Sequence, residues 1–79
     1  MNPVLYTVTG TDRPGVTAAL LESLHASGAE VVDAEQIVIR GELVLCLLLR
    51  MAADQQEAVT ASLRQSAQAE GMHLAVDDE

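Results

Sequence analysis

Gly10-Thr11-Asp12-Arg13-Pro14-Gly15-Val16 separates a short apolar run from an amphipathic one. On its N-terminal side, Val4-Leu5-Tyr6-Thr7-Val8-Thr9 is rich in β-branched and apolar residues and stops at Gly10, which predicts a first strand. On its C-terminal side, Val16, Ala19, Leu20 and Leu24 recur at spacings of three and four, with Gly28 placed as a C-cap. That pattern predicts a helix. Pro14 is pre-set for the first helical turn, and Gly15 has no side chain to keep a ligand off the backbone. Asp12 sits where an N-cap carboxylate would accept from the free amides, or would instead meet the ammonium of a ligand. Several N–H groups, the positive end of a helix and one carboxylate suit a small zwitterion better than bond-breaking chemistry.

Working outward, Glu30 to Arg40 alternates: Val32, Ala34, Gln36 and Val38 on one face, Val31, Asp33, Glu35, Ile37 and Ile39 on the other. Arg40-Gly41 breaks the run before Glu42 to Met51, which predicts a hairpin with a tight turn. Asp54 is placed as an N-cap with Glu57 three residues on, a capping-box spacing for a second helix reaching about Glu70. Val59, Leu63 and Ala67 form its apolar stripe, Gly71 ends it, and Met72 to Val76 reads as a short last strand. The order strand, helix, strand, strand, helix, strand predicts an α+β, ferredoxin-like βαββαβ domain spanning residues 1–79. Right-handed crossovers put the first and third strands at the centre of a four-stranded antiparallel sheet, the second and fourth at its edges, and both helices on one face.

A chain of 79 residues supports only a small core, and with Tyr6 as its single aromatic that core is aliphatic. Four arginines and no lysine face twelve carboxylates, a formal net charge of −8. This balance argues against nucleic acid and anionic membranes as partners. The apolar stretches fall short of the roughly 20 residues needed to span a bilayer, and no basic segment leads into a hydrophobic run, so a cytoplasmic location is expected. Leu43 to Leu49 is apolar on both faces, although helices cover only one. A second copy or a neighbouring domain is therefore expected over the other face.

Chemistry-bearing clusters are sparse. Cys46 lies within the apolar run and reads as a small buried hydrophobe, with no second cysteine to pair. Asp33 and Glu35 share a strand face about 7 Å apart, but no third ligand or nucleophile completes a metal or acid–base site. Their simpler roles are as a solvated or interface face, or as mutual repulsion that limits edge-to-edge pairing. His25 and His73 share no motif spacing, and Ser23, Ser27, Ser62 and Ser66 have no histidine or aspartate arranged around them. No metal or catalytic residue is expected. Arg13 and Arg40, both in turns, are the cations best placed to meet an anion.

Thr9 to Val16, the segment Gly28-Ala29-Glu30-Val31-Val32-Asp33-Ala34-Glu35-Gln36 and the βαββαβ order together resemble an ACT domain, an amino-acid-sensing regulatory module. Within that family, Glu35 to Gly41 followed by Leu43-Val44-Leu45 is similar to the ACT region ahead of the haloacid-dehalogenase-type catalytic domain in actinobacterial-type phosphoserine phosphatases. Formyltetrahydrofolate deformylases share a similar Asp-Arg-Pro-Gly turn and stand as an alternative parent. The phosphatase signature Asp-x-Asp-x-Thr is absent from residues 1–79, so the resemblance implies a regulatory portion without a cofactor of its own, whose parent enzyme would use Mg²⁺. It also implies a small amino acid, serine or glycine, bound where the first turn of one copy meets the start of the second strand of another, in a homodimer or against an intramolecular ACT partner. Carried over, the ligand-binding residues are Asp12, Arg13, Pro14, Gly15 and Val16 on one side and Glu30 and Val31, within the Glu30 to Asp33 region, on the other. Some amino-acid-binding members have asparagine where Asp12 and Glu30 stand; an ionised acid cannot donate, so carboxylate recognition would fall to backbone amides.

Overall fold

The structure, a computed structural model, describes residues 3–77. Strand β1 (Val4–Thr11) leads into helix α1 (Val16–Ser27), followed by β2 (Glu30–Ile39), β3 (Glu42–Arg50), a 3-10 turn at Ala53–Gln55, α2 (Gln56–Ala69) and β4 (His73–Asp77). The sheet order is β2-β3-β1-β4, antiparallel throughout, so the two central strands and two edges fall where the crossover argument put them. Residues Val4, Tyr6 and Val8 of β1 and Leu43, Leu45, Leu47 and Leu49 of β3 point to one side and are buried with Val16, Leu20 and Leu24 of α1 and Val59, Leu63 and Ala67 of α2. Period-2 strands and period-3.6 helices thus converge on one aliphatic core. Tyr6, fully buried, satisfies its hydroxyl 2.6 Å from Thr60 Oγ1. Where the helices cross, Ser66 Oγ donates to Ser23 Oγ at 2.9 Å, with Ser62 Oγ 3.3 Å from the same atom.

On the opposite side of the sheet, Val44, Cys46 and Leu48 are only half-buried and Leu5 is exposed, so the apolar character of both faces of β3 is real. Strand β2 behaves differently from its neighbours: all ten of its residues are exposed, because the helices pack over β1 and β3 and leave β2 largely uncovered.

Four local expectations are corrected. A bulge in β2 makes Val31 pair with Leu49 and Asp33 with Leu48, leaving Val32 as the extra residue. The bulge moves Val31 to the helix side with Ala34, Gln36 and Val38, where strict alternation had placed it on the other face. The Asp54–Glu57 capping box does not form: Gln55 N–H closes a backbone turn to Ala52 O at 2.9 Å, Asp54 falls inside that 3-10 turn, and the Gln55 cap makes no side-chain bond. Asp12 is not the N-cap of α1, since Gly15 occupies that position at φ 87° and no side chain caps it. Pro14 accordingly lies in the turn before the helix and not in its first turn.

Candidate functional site

The turn between β1 and α1 is held from both sides. Thr11 still pairs with Glu42, and Asp12 N–H donates to Gly41 O at 2.8 Å, fastening the turn to the β2–β3 hairpin. Arg13 reaches the other way: its guanidinium donates to the Glu70 carbonyl at the end of α2, and Nη2 is 3.7 Å from Glu70 Oε1. Arg13 O accepts from Val16 N–H at 3.3 Å, which closes the Asp-Arg-Pro-Gly turn, and the left-handed backbone at Gly15 lets the helix start abruptly. Gly15 O then accepts from Ala19 N–H at 2.9 Å.

Among the described residues this leaves the N–H groups of Gly15, Thr17 and Ala18 without a protein partner at the positive end of α1. Asp12, Arg13, Pro14 and Gly15 are exposed, whereas the Val16 side chain is fully buried and contributes to the core. On the β2 side, Thr17 Oγ1 donates to Gln36 Oε1 at 2.7 Å. Neither Thr17 nor Gln36 stood out in the sequence as a site residue; the available signal was a polar Gln36 in the alternation otherwise filled by aliphatic residues.

Glu30 and Val31 are not brought to this turn within one chain. They lie at the start of β2, whereas Ile39 at its far end pairs with Glu42 beside the turn. The intervening strand is about 30 Å long. Glu30 instead forms an exposed ion pair with Arg50 at 3.5 Å, and Val31 is 42% exposed. No group of three or more His, Cys, Asp or Glu side chains among the described residues could hold a metal ion. A concavity of about 670 Å³ runs along α2 past Thr60, Arg64 and Val76, and none of Asp12 to Val16 lines it.

Fold and turn together define a ferredoxin-like α+β domain with an open helix entrance fixed between a hairpin and a second helix. A family model described as ACT domain matches residues 2–77, and the chain belongs to the ACT domain family. A phosphoserine phosphatase of Mycobacterium tuberculosis is 53% identical over 51 residues, covering 65% of this chain and 12% of that protein. The phosphoserine phosphatase of Streptomyces coelicolor is 50% identical over 46 residues, covering 58% of this chain and 11% of the relative. The chain therefore spans about a tenth of the length of these curated relatives. Among solved structures, a formyltetrahydrofolate deformylase from Pseudomonas putida superposes with a TM-score of 0.85 at 16% identity, covering 99% of this chain and 29% of that one. At that identity the likeness is one of fold. No helix among the described residues is long and apolar enough to cross a membrane.

Proposed function

We propose that this chain is the amino-acid-sensing part of a phosphoserine phosphatase of the cytoplasm, responding to serine, glycine or a similar small amino acid. The observation that carries this reading is the 53% identity to a phosphoserine phosphatase across the segment that aligns. The deformylase alternative rests on fold likeness at 16% identity and is the weaker one. The ligand site is divided: the exposed Asp12 to Gly15 turn and the helix entrance supply N–H donors for a carboxylate, and Asp12 supplies an acceptor for an ammonium. Glu30 and Val31 lie a strand length away, so they join the site only from a second ACT domain.

A ligand that touches two copies binds the joined arrangement better than the separated one and shifts the population towards it by that difference. Catalysis and its Mg²⁺ belong, in this reading, to another domain of the enzyme. The half-buried patch of Val44, Cys46 and Leu48 gives a partner domain an apolar surface to cover. Titration of serine, glycine and other amino acids against thermal unfolding tests the proposal. A ligand selective for the folded domain raises Tm progressively as its concentration passes Kd. No shift with any of them up to millimolar levels favours the second reading, an assembly module without a ligand, which the carboxylates at positions 12 and 30 support.

A further inference from the structure

We propose that the outer edge of β4, with the trough beside it on α2, receives an extended peptide segment as a fifth strand, and that Arg64 holds an acidic side chain of that segment. Strand β4 is an edge of the sheet and pairs with β1 alone. The carbonyl of Leu74 faces away from β1, since Arg64 Nη1 reaches it from α2 at 3.5 Å. Backbone groups alternate in direction along a strand, so the N–H and C=O of Val76 face outwards as well. Among the described residues no other backbone group bonds to them. Lysine and proline, which often close such an edge, are absent from His73–Asp77. Main-chain pairing at an open edge is a general mode of peptide capture, and the five residues of β4 set the length of the segment.

The space beyond this edge is already shaped. The concavity of about 670 Å³ lies between α2 and Val76, and its lining runs from Ala53 to Gln68, about 20 Å of helix. Its volume is that of a ligand pocket, yet such pockets enclose most of their ligand. Here Glu57, Ala61 and Arg64 are exposed and Val76 is half-buried, so the trough is open along its length. That shape fits a chain that continues past both ends better than an enclosed metabolite.

The trough is also polarised. Thr60 meets Tyr6, and Tyr6 pairs with Val76, so α2 runs back along β4 with Arg64 level with Leu74 and Glu57 towards Asp77. The guanidinium of Arg64 is scarcely used: 3.5 Å exceeds the usual 2.7–3.2 Å of an N–H···O bond, and no carboxylate among the described residues pairs with it. Arg13 and Arg50, by contrast, each have a glutamate. A guanidinium can grip a carboxylate through two parallel bonds, so Arg64 exchanges a weak contact on the bare edge for a strong one to the arriving segment. Glu57 lies two turns before Arg64 on the same helix face, about 10 Å away along the axis. The segment that fits therefore places an acidic side chain beside Leu74, an aliphatic one over Val76 and Ala61, and a basic one beside Glu57, at alternate positions of a strand.

None of Asp12 to Gly15 lines the trough, so this partner is separate from the amino-acid ligand. The isotope-labelled 79-residue chain is titrated with acetyl-Thr-Glu-Thr-Val-Thr-Lys-Thr-amide, and with the same peptide carrying glutamine for both charged residues, while amide resonances are followed. Saturable shifts are expected at Leu74, Val76 and the Arg64 side chain, with slowed exchange of the Val76 N–H. The charged peptide should bind about two- to fivefold more tightly, as for an exposed ion pair. Arg64→Gln should remove most of that preference and leave pairing at Val76 intact. Val76→Pro deletes an outward N–H where an edge tolerates proline, and should abolish binding of both peptides. If that variant does not fold, exchange of the Val76 N–H in the wild-type chain decides the point. Shifts confined to β2 or to the uncovered sheet face, or none up to millimolar peptide, overturn the proposal. Protection of Leu74 and Val76 that grows with protein concentration alone would also overturn it, by making a second copy the occupant. An Arg64 response to inorganic phosphate equal to that for the charged peptide, without protection of Val76, would reduce the trough to an anion site and refute it. Serine and glycine should leave these resonances unmoved, so peptide capture and amino-acid sensing can fail separately.

Discussion

Arg13, on the β1–α1 turn, donates to the backbone carbonyl of Glu70 at the end of α2 and stands 3.7 Å from that residue's carboxylate. The last carbonyls of a helix lack intrahelical donors and carry the negative end of its dipole, so a guanidinium is well placed there. The cation that the sequence made available to a ligand anion is thus committed to holding two ends of the fold together.

Arg13→Ala is expected to cost less than about 1 kcal/mol in urea unfolding, because the pair is 55% and 32% exposed and solvent screens it. Glu70→Gln should cost still less, since the backbone carbonyl remains, and high salt should shrink its effect. If backbone N–H groups read a ligand carboxylate, the thermal response to amino acids survives Arg13→Ala. Its loss from a well-folded Arg13→Ala protein would assign the guanidinium to the ligand instead.

Asp12→Asn separates two roles that the sequence left in competition. A capping carboxylate contributes about 1 kcal/mol, but Gly15 is the cap and no side chain bonds to it. Stability should therefore change by no more than about 0.5 kcal/mol, as for other exposed substitutions. Ligand affinity should rise, because an amide can donate to a carboxylate where an ionised acid cannot. Thermal melts and calorimetric titration of the same preparations measure the two quantities independently.

The Tyr6–Thr60 hydrogen bond predicts an asymmetry. Tyr6→Phe removes the buried hydroxyl and leaves the half-buried Thr60 hydroxyl to find water, at a cost near 1 kcal/mol. Thr60→Val leaves the fully buried Tyr6 hydroxyl unsatisfied and should cost about 1–3 kcal/mol. Chemical denaturation of the two variants compares them; an equal or reversed order would mean that the hydroxyl reaches another partner.

The strand order and the core were legible because Val4, Tyr6, Val8 and the odd-numbered leucines from Leu43 to Leu49 obey a strict period of two, and the helix stripes of Val16, Leu20 and Leu24 a period near 3.6. Long-range pairing only confirms such patterns. Local end chemistry was less legible. Asp54 and Glu57 have capping-box spacing, yet a backbone turn at Ala52 to Gln55 reaches the helix first. Val32 looks like one more alternating residue because a bulge has no signature in a run of β-branched side chains. For the site, the turn was readable from Pro14 and Gly15. The Thr17–Gln36 bond and the commitment of Arg13 to Glu70 were not, since both join residues distant in sequence.

Gly10 lies within β1 opposite Leu43, one residue further along the strand than the sequence pattern implied, at a point where a side chain has no room. A Cβ built on it would lie 2.3 Å from the Met72 sulfur, 3.4 Å from Met72 Cα and 3.5 Å from Gly71 O. The two backbone contacts are tolerable, whereas the sulfur must move. Met72 is 5% exposed, so its side chain has to find another rotamer inside packed surroundings. Gly10→Ala is therefore expected to destabilise by about 1–3 kcal/mol, the usual range for overpacking. Met72→Ala removes the obstacle at its own cavity cost, and in that background Gly10→Ala should be nearly neutral. Urea unfolding of the two single variants and the double variant gives the coupling between the positions. Additive costs would mean that the strain lies in the backbone of β1 and not in the contact with Met72.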